Sequence, residues 1–475
     1  MSTYKKILIV AGILIATVLY VNGALSHARE VNFDRHRMDQ SAYMAYAKSL
    51  ADSGYTFVGG RNRMPIYPLL QSFFVYRSGM SDEDFFELGK RFNIGLSVVL
   101  LLALIPIFAR HLPWHPTLNL MLIVAFTLYL FKAAYFQTEV LFFFANICSF
   151  LLLNQMLHRP TWKRGIVTGI VLGLAHLTKG SVLGGPIIYV CVAVAQEIIR
   201  KFTSLKADAK RAQPEDEAGM TADEHGSDKA EIRPSPGQPA APLPLRLISI
   251  ACVVVFFLLT VSPYITTSKR VFGHYFYNVN TTFYIWYDSW EEAKQGTRAY
   301  GDRVGWPDMP PEEIPTLQKY LREHTLQQIV EREFNGLQVV WDEAVHSYGY
   351  FKYFALYTLF TLLVLALNWP HTTELFKRYT ALWVFNLLYF SAYLLLYAWY
   401  VPIAYGNRLT LGQFIPLMFA LSFVIYRLIP DLPAFTLKGK RFSLAQLFSL
   451  LITLILSVDL YSILTYRILT LYGGE

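Results

Sequence analysis

Apolar runs long enough to cross a bilayer recur along the whole chain, and this recurrence constrains the fold more than any other feature. They cover 7–25, 92–109, 118–134, 140–157, 165–177, 182–199, 247–266, 351–367, 382–401, 411–428 and 445–471. A lipid interior satisfies no backbone polar group, so such runs fold as helices. They predict an all-α polytopic membrane protein with about eleven transmembrane helices. The composition agrees. Of 475 residues, 54% are hydrophobic and 16% charged, where a soluble globular chain is roughly a quarter charged. Run 165–177 is short and is separated from 182–199 only by Thr178–Ser181, which predicts a tight pair or a broken helix.

Charge orients the spans. Lys5 and Lys6 precede the first run, which reads as an uncleaved helix with its N-terminus inside. Loops 158–164, 368–378 and 429–441 then fall inside, and all three carry Lys and Arg near a helix end, as the positive-inside rule asks. Segments 26–91 and 268–350 fall outside. Segment 200–246 mixes acids and bases with Pro234, Pro236, Pro239, Pro242 and Pro244, and reads as a disordered cytoplasmic linker. It separates an N-terminal membrane module (1–199) from a C-terminal one (247–475).

Net charge is +8, yet no dense basic patch adjoins base-stacking aromatics, so nucleic acid is excluded as a partner. Cys148, Cys191 and Cys252 lie in apolar runs without zinc spacing and read as small core residues.

The first outer loop, 26–91, is too polar to span and too patterned for a linker. After Asp34 and Asp39 comes a helical pattern in which Tyr43, Ala47, Leu50 and Ala51 share one side, Lys48 and Asp52 the other, with Gly54 as a stop. Such a helix is expected along the membrane interface, with its tyrosines at headgroup depth. Two roles fit Asp39: a first-turn acid favoured by the helix dipole, or a general base beside the bilayer. Arg61 and Arg63 fit lipid anchoring or the holding of a donor phosphate. Met64–Pro68 fixes a bend before a second interfacial helix near 69–76.

Three more ionisable residues reach the same outer side. Glu139 opens the run at 140, Lys179 lies between two runs, and Arg408 enters the penultimate one. Two of them have a plain alternative, a helix-terminal acid for Glu139 and a snorkelling cation for Lys179. His176 reads as a satisfied polar group in the bundle. The outer segment 268–350 opens with eight aromatics between Tyr275 and Trp290, including Tyr284 and Trp286, which fit either lobe packing or sugar stacking. Helical spacing over 312–336 predicts a small α-rich lobe. Acids and phosphate-binding cations on one lipid–water face suit group transfer from a leaving phosphate.

The chain resembles integral-membrane glycosyltransferases of the GT-C superfamily, near the protein-mannosyltransferase and aminoarabinose-transferase branch. The residues that carry the resemblance are Asp39-Gln40 with Tyr43 one turn on, the Arg63–Pro68 corner with Tyr67, Glu139, and the Leu-Thr-Lys-Gly of 177–180. It covers roughly 7–189; the C-terminal half matches chiefly through Asn407-Arg408-Leu409. It implies an inverting transfer from a polyprenyl-phosphate sugar to a hydroxyl of a lipid, glycan or protein. By position Asp39 is then the base, Lys179 and Arg408 face the donor phosphate, and Tyr43 and Tyr67 belong to the matching stretches; the residue-level reading adds Arg61 or Arg63 at the phosphate and Tyr284 and Trp286 against the sugar. Several relatives have Asp-Glu where this chain has Asp39-Gln40, so only one carboxylate stands there. Glu139 is the candidate second acid and Asp34 a supporting one. Some relatives use a divalent cation and others none, so the metal stays open.

Two other classes share these features: a transporter or flippase of lipid-linked sugars, and a polysaccharide polymerase or ligase with a lipid-diphosphate donor. The first calls for polar residues at mid-span, where Asn146, Asn386 and Asp459 are sparse. The topology fits a bacterial inner membrane with a periplasmic active face, or an endoplasmic-reticulum membrane with a lumenal one.

Overall fold

The computed structural model describes residues 3–211, 243–347, 349–404, 406–430, 432–437 and 440–471. Ten of its helices are long and apolar enough to cross a membrane. They are α1 (Thr3–Glu30), α4 (Asp82–Ala109), α5 (Trp114–Ala133), α6 (Glu139–His158), α8 (Gly184–Arg211), α9 (Leu243–Phe272), α11 (Tyr350–Leu367), α12 (Thr380–Tyr400), α13 (Arg408–Leu428) and α14 (Leu444–Thr465). Between them lie α2 (Gln40–Asp52), α3 (Ile66–Phe74), α7 (Trp162–Thr178) and α10 (Leu326–His346). Among the described residues the protein is an all-α polytopic membrane protein, apart from one short two-stranded sheet.

The eleventh expected span is α7. Its 17 residues reach about 26 Å, short of a hydrocarbon core of about 30 Å. Packing holds it in place. A Cβ on Gly165 or Gly169 would come within 2.6 Å of the carbonyl oxygens of Ser249 or Val253, so these glycines let α7 lie directly on the backbone of α9. The question of a tight pair or a broken helix resolves as a pair: α7 stops at Thr178, one tight turn covers Gly180–Leu183, and α8 starts at Gly184.

The two ends of the bundle differ. At one end the His158 ring lies 5.7 Å from that of Tyr379, and His371 Nε2 lies 3.1 Å from the Leu428 carbonyl oxygen. The three basic loops expected inside are therefore neighbours. The opposite end gathers the start of α2, the start of α6, the end of α7 and the start of α13.

Four expectations change. Helix occupies both ends of the supposed linker 200–246, since α8 runs to Arg211 and α9 begins at Leu243; the rest of that stretch lies outside the described residues. Loop 429–441 contains part of an antiparallel hairpin, Pro433–Leu437 with Lys440–Ser443, in which Phe435 faces Phe442 across the strands. The helical stretch at 312–336 is two helices, Leu317–Glu323 and α10, because the Thr325 hydroxyl and the Gln328 side chain close a capping box between them. Finally, the tyrosine face of α2 does not rest at headgroup depth. Tyr43, Met44, Tyr46, Ala47 and Leu50 are buried in the protein, because α3 folds back over α2 and sets Tyr67 edge-on to Tyr43 at 5.4 Å. The apolar side chains exposed here are Leu69, Phe73 and Phe74 of α3.

The lobe is fastened to the bundle by Arg332. It donates to Asp288 Oδ1 at 2.8 Å and to the carbonyls of Tyr287 and Trp399 at 3.0 and 3.1 Å. Four residues on, Gly336 meets the Ala398 carbonyl; a Cβ there would fall 2.0 Å from that oxygen. The lobe thereby roofs the end of the bundle at which α2, α6, α7 and α13 meet.

Candidate functional site

Under that roof lies a cavity of about 910 Å³. Its floor is built from helix ends. Asp39 takes the N-cap position of α2, but its side chain makes no capping hydrogen bond. Instead Oδ2 accepts from Arg408 at 2.9 Å, and Oδ1 accepts from Arg63. The helix-capping role is therefore not the one its carboxylate plays. Burial alone would raise the Asp39 carboxyl; the two guanidinium groups outweigh it and hold the pKa below the ordinary carboxylate value.

Beside this triad, Glu139 Oε1 lies 3.7 Å from Lys179 Nζ. The Lys179 ammonium sits 4.7 Å above the Phe142 ring, one turn along α6 from Glu139. Glu139 is only 4% exposed, and its Oε2 is buried without a hydrogen-bond partner. The antiparallel run of α6 and α7 creates this pair: one helix begins where the other ends.

Gln40 joins the two acids mechanically. Its amide exchanges two hydrogen bonds with Asn32, at 2.8 and 2.9 Å, and its Oε1 also accepts from the Phe136 backbone N–H at 2.8 Å. The residue after Asp39 is thus tied to the turn that leads into Glu139.

The walls are aromatic and basic. Tyr43 from α2, Tyr397 and Tyr400 from α12, and Tyr284, Trp290, Arg298 and Arg303 from the lobe all line the cavity. Tyr400 donates to Asn280 Oδ1 at 3.1 Å. Five cations (Arg63, Lys179, Arg298, Arg303 and Arg408) face two carboxylates, Asp39 and Glu139. The space therefore favours an anion and offers aromatic faces beside it.

Of the residues singled out in the sequence, Asp39, Tyr43, Arg63, Glu139, Lys179, Tyr284 and Arg408 meet in this cavity. Four do not line it. The Arg61 guanidinium is turned to α9, donating to Ser268 Oγ at 2.9 Å and the Tyr264 carbonyl at 3.2 Å, with the Tyr264 ring 4.0 Å below. Asp34 is exposed and accepts from the His36 N–H at 2.8 Å. Tyr67 is fully buried behind Tyr43, its hydroxyl accepting from Gln71. Trp286 points to the other side of its turn, near Tyr320 and Trp399. His176 packs edge-on to Phe257 and Tyr264. Among the described residues, no three His, Cys, Asp or Glu side chains gather as a metal-binding group.

Sequence reasoning missed Arg298, Arg303, Tyr397 and Tyr400. The arginines stand in a polar segment without periodicity, and the tyrosines look like ordinary interfacial anchors. No known protein family, curated protein or solved structure matches the chain.

Proposed function

We propose that the cavity is the active site of an inverting glycosyltransferase of GT-C type, which moves a sugar from a polyprenyl-phosphate donor to a hydroxyl of a lipid, glycan or protein. The observation that carries this reading is Asp39 held between Arg63 and Arg408 in a chamber with surplus positive charge, beside the membrane-crossing helices. The donor phosphate engages Arg408, Arg63 and Lys179. As it draws the guanidinium groups, Asp39 loses the partners that depress its basicity. Asp39 then takes the proton of the acceptor hydroxyl, whose oxygen attacks the anomeric carbon. The anomeric carbon–oxygen bond to phosphate breaks, and polyprenyl phosphate leaves as an anion held by the same cations. Water then takes up the proton from Asp39.

The residues present do not fit a resident divalent cation at Asp39, because both of its oxygens are engaged by guanidinium groups. The basic loops at the far end of the bundle support an orientation with the cavity outside, periplasmic in a bacterial inner membrane.

The test is transfer of labelled sugar in proteoliposomes holding the full chain. Wild type is expected to turn over, and D39N to lose at least about a hundredfold, the usual scale of general-base catalysis. Near-wild-type turnover by D39N removes Asp39 as the base. Movement of the lipid-linked sugar between leaflets without transfer makes the protein a flippase. Use of diphosphate donors alone makes it a polymerase or ligase.

A further inference from the structure

The cavity's positive charge divides into two groups. Arg63, Lys179 and Arg408 lie around Asp39 and Glu139, and each belongs to an ion pair. Arg298 and Arg303 stand on the lobe wall, and neither forms an ion pair with another described residue. Arg303 Nε is buried without a hydrogen-bond partner. The guanidinium of Arg298 lies 4.9 Å over the Trp290 ring, which leaves its N–H edge free for another acceptor. The acid within reach of both is Asp302, fully buried. A single carboxylate balances at most one of the two guanidinium charges.

Tyr400 and Tyr284 line the same cavity as both groups and offer aromatic faces to a sugar ring. Resting on the glycosyltransferase reading, we infer that Arg298 and Arg303 form a second anion subsite, which takes a carboxylate or phosphate group carried by the transferred sugar or by the acceptor. A donor phosphate bound by the first group leaves at least one of these half-buried arginines without a counter-charge in the cavity wall.

The test uses the full-length protein, reconstituted and loaded with polyprenyl phosphate, and titrated with glucuronate, glucose 6-phosphate and glucose. The anionic sugars are expected to bind about tenfold tighter than glucose, the scale of one charge-assisted contact. R298Q/R303Q brings them to the level of glucose and leaves polyprenyl-phosphate binding unchanged, whereas R408Q weakens polyprenyl phosphate. R298K/R303K, which keeps the charge, retains a preference for anions and guards against a folding defect. A second arm separates the two sources. If the anion belongs to the transferred sugar, a polyprenyl-phosphate uronic acid binds more tightly than its neutral hexose counterpart, and R298Q/R303Q abolishes the difference. If it belongs to the acceptor, the two donors bind alike, and glucuronate still binds with the donor in place. Equal binding of anionic and neutral sugars in wild type, with the two donors also alike, overturns the subsite. Failure of polyprenyl phosphate to bind overturns the transferase reading instead, and glucuronate against glucose still decides the subsite.

Discussion

Asp39 and Arg408 stand 369 positions apart in the chain and meet at 2.9 Å, Oδ2 to guanidinium. One belongs to the first polar loop, the other opens a late transmembrane helix. Their contact, with Arg63 on the second carboxylate oxygen, sets the ionisation of the candidate base.

Arg63 and Arg408 keep Asp39 below its ordinary value, so its ion pairs contribute stability above the unfolded pKa, about 3.9, and lose it as pH falls through the lower folded one. The acid limb of kcat/KM, which reports the free enzyme, is expected below about pH 4. In R408Q it moves to higher pH. The limb of kcat is expected at higher pH than that of kcat/KM in wild type, because bound phosphate draws the arginines away. Coincident limbs in wild type and R408Q separate Arg408 from the titration.

The Glu139–Lys179 pair gives a coupling test. E139Q leaves the Lys179 ammonium without its acid and is expected to cost about 3 kcal/mol, on the scale of breaking a buried pair. E139Q/K179M recovers most of that loss in thermal unfolding, yet binds the donor more weakly than E139Q, because it lacks the Lys179 ammonium. Additive losses in the double variant contradict a direct pair.

Gln40→Glu addresses the position where relatives of the resembled family carry an acid. The substitution removes the N–H donor to Asn32 Oδ1, sets a carboxylate oxygen against that acceptor, and buries a charge met only by the N–H groups of Asn32 and Phe136. A loss of about 2–3 kcal/mol is expected in denaturant midpoint, and no gain of divalent-cation binding by calorimetry. A new cation site in Q40E means that Asp39 releases its arginines more readily than its geometry implies.

Arg61 and Arg63 are two residues apart and separate cleanly. R61Q cuts the tie from the first loop to Ser268 and Tyr264 and is expected to lower thermal stability by about 2 kcal/mol. R63Q removes a partner of Asp39 and weakens donor binding with a smaller stability change. The reverse pattern, in unfolding and donor-binding measurements on both variants, assigns the roles the other way.

Gly336→Leu probes the lobe. A side chain there meets the Ala398 carbonyl and pushes α10 from α12, at a cost of about 2 kcal/mol or more. Disulfide cross-linking between cysteines placed on α10 and α12 is expected to slow. Unchanged cross-linking and melting show that the two helices adjust freely.

Hydropathy and charge bias act locally along the chain, so the membrane class, ten of the eleven expected spans and the shared side of the three basic loops were legible in the residues alone. The sequence also singled out Asp39, Arg63, Glu139, Lys179 and Arg408, which line one cavity, since an ionisable residue at a helix mouth stands out against an apolar run. It could not separate Arg63 from Arg61: both are arginines after a glycine pair, and only the direction of each side chain tells them apart. Nor could it show whether Asp39 caps its helix or pairs with arginines, because the deciding partner comes from a helix near the other end of the chain. The glycines of α7, the lobe arginines and Tyr400 gained their roles through contacts between distant segments. Those contacts exist only once the helices have packed, so the chamber and its two groups of cations are products of tertiary structure.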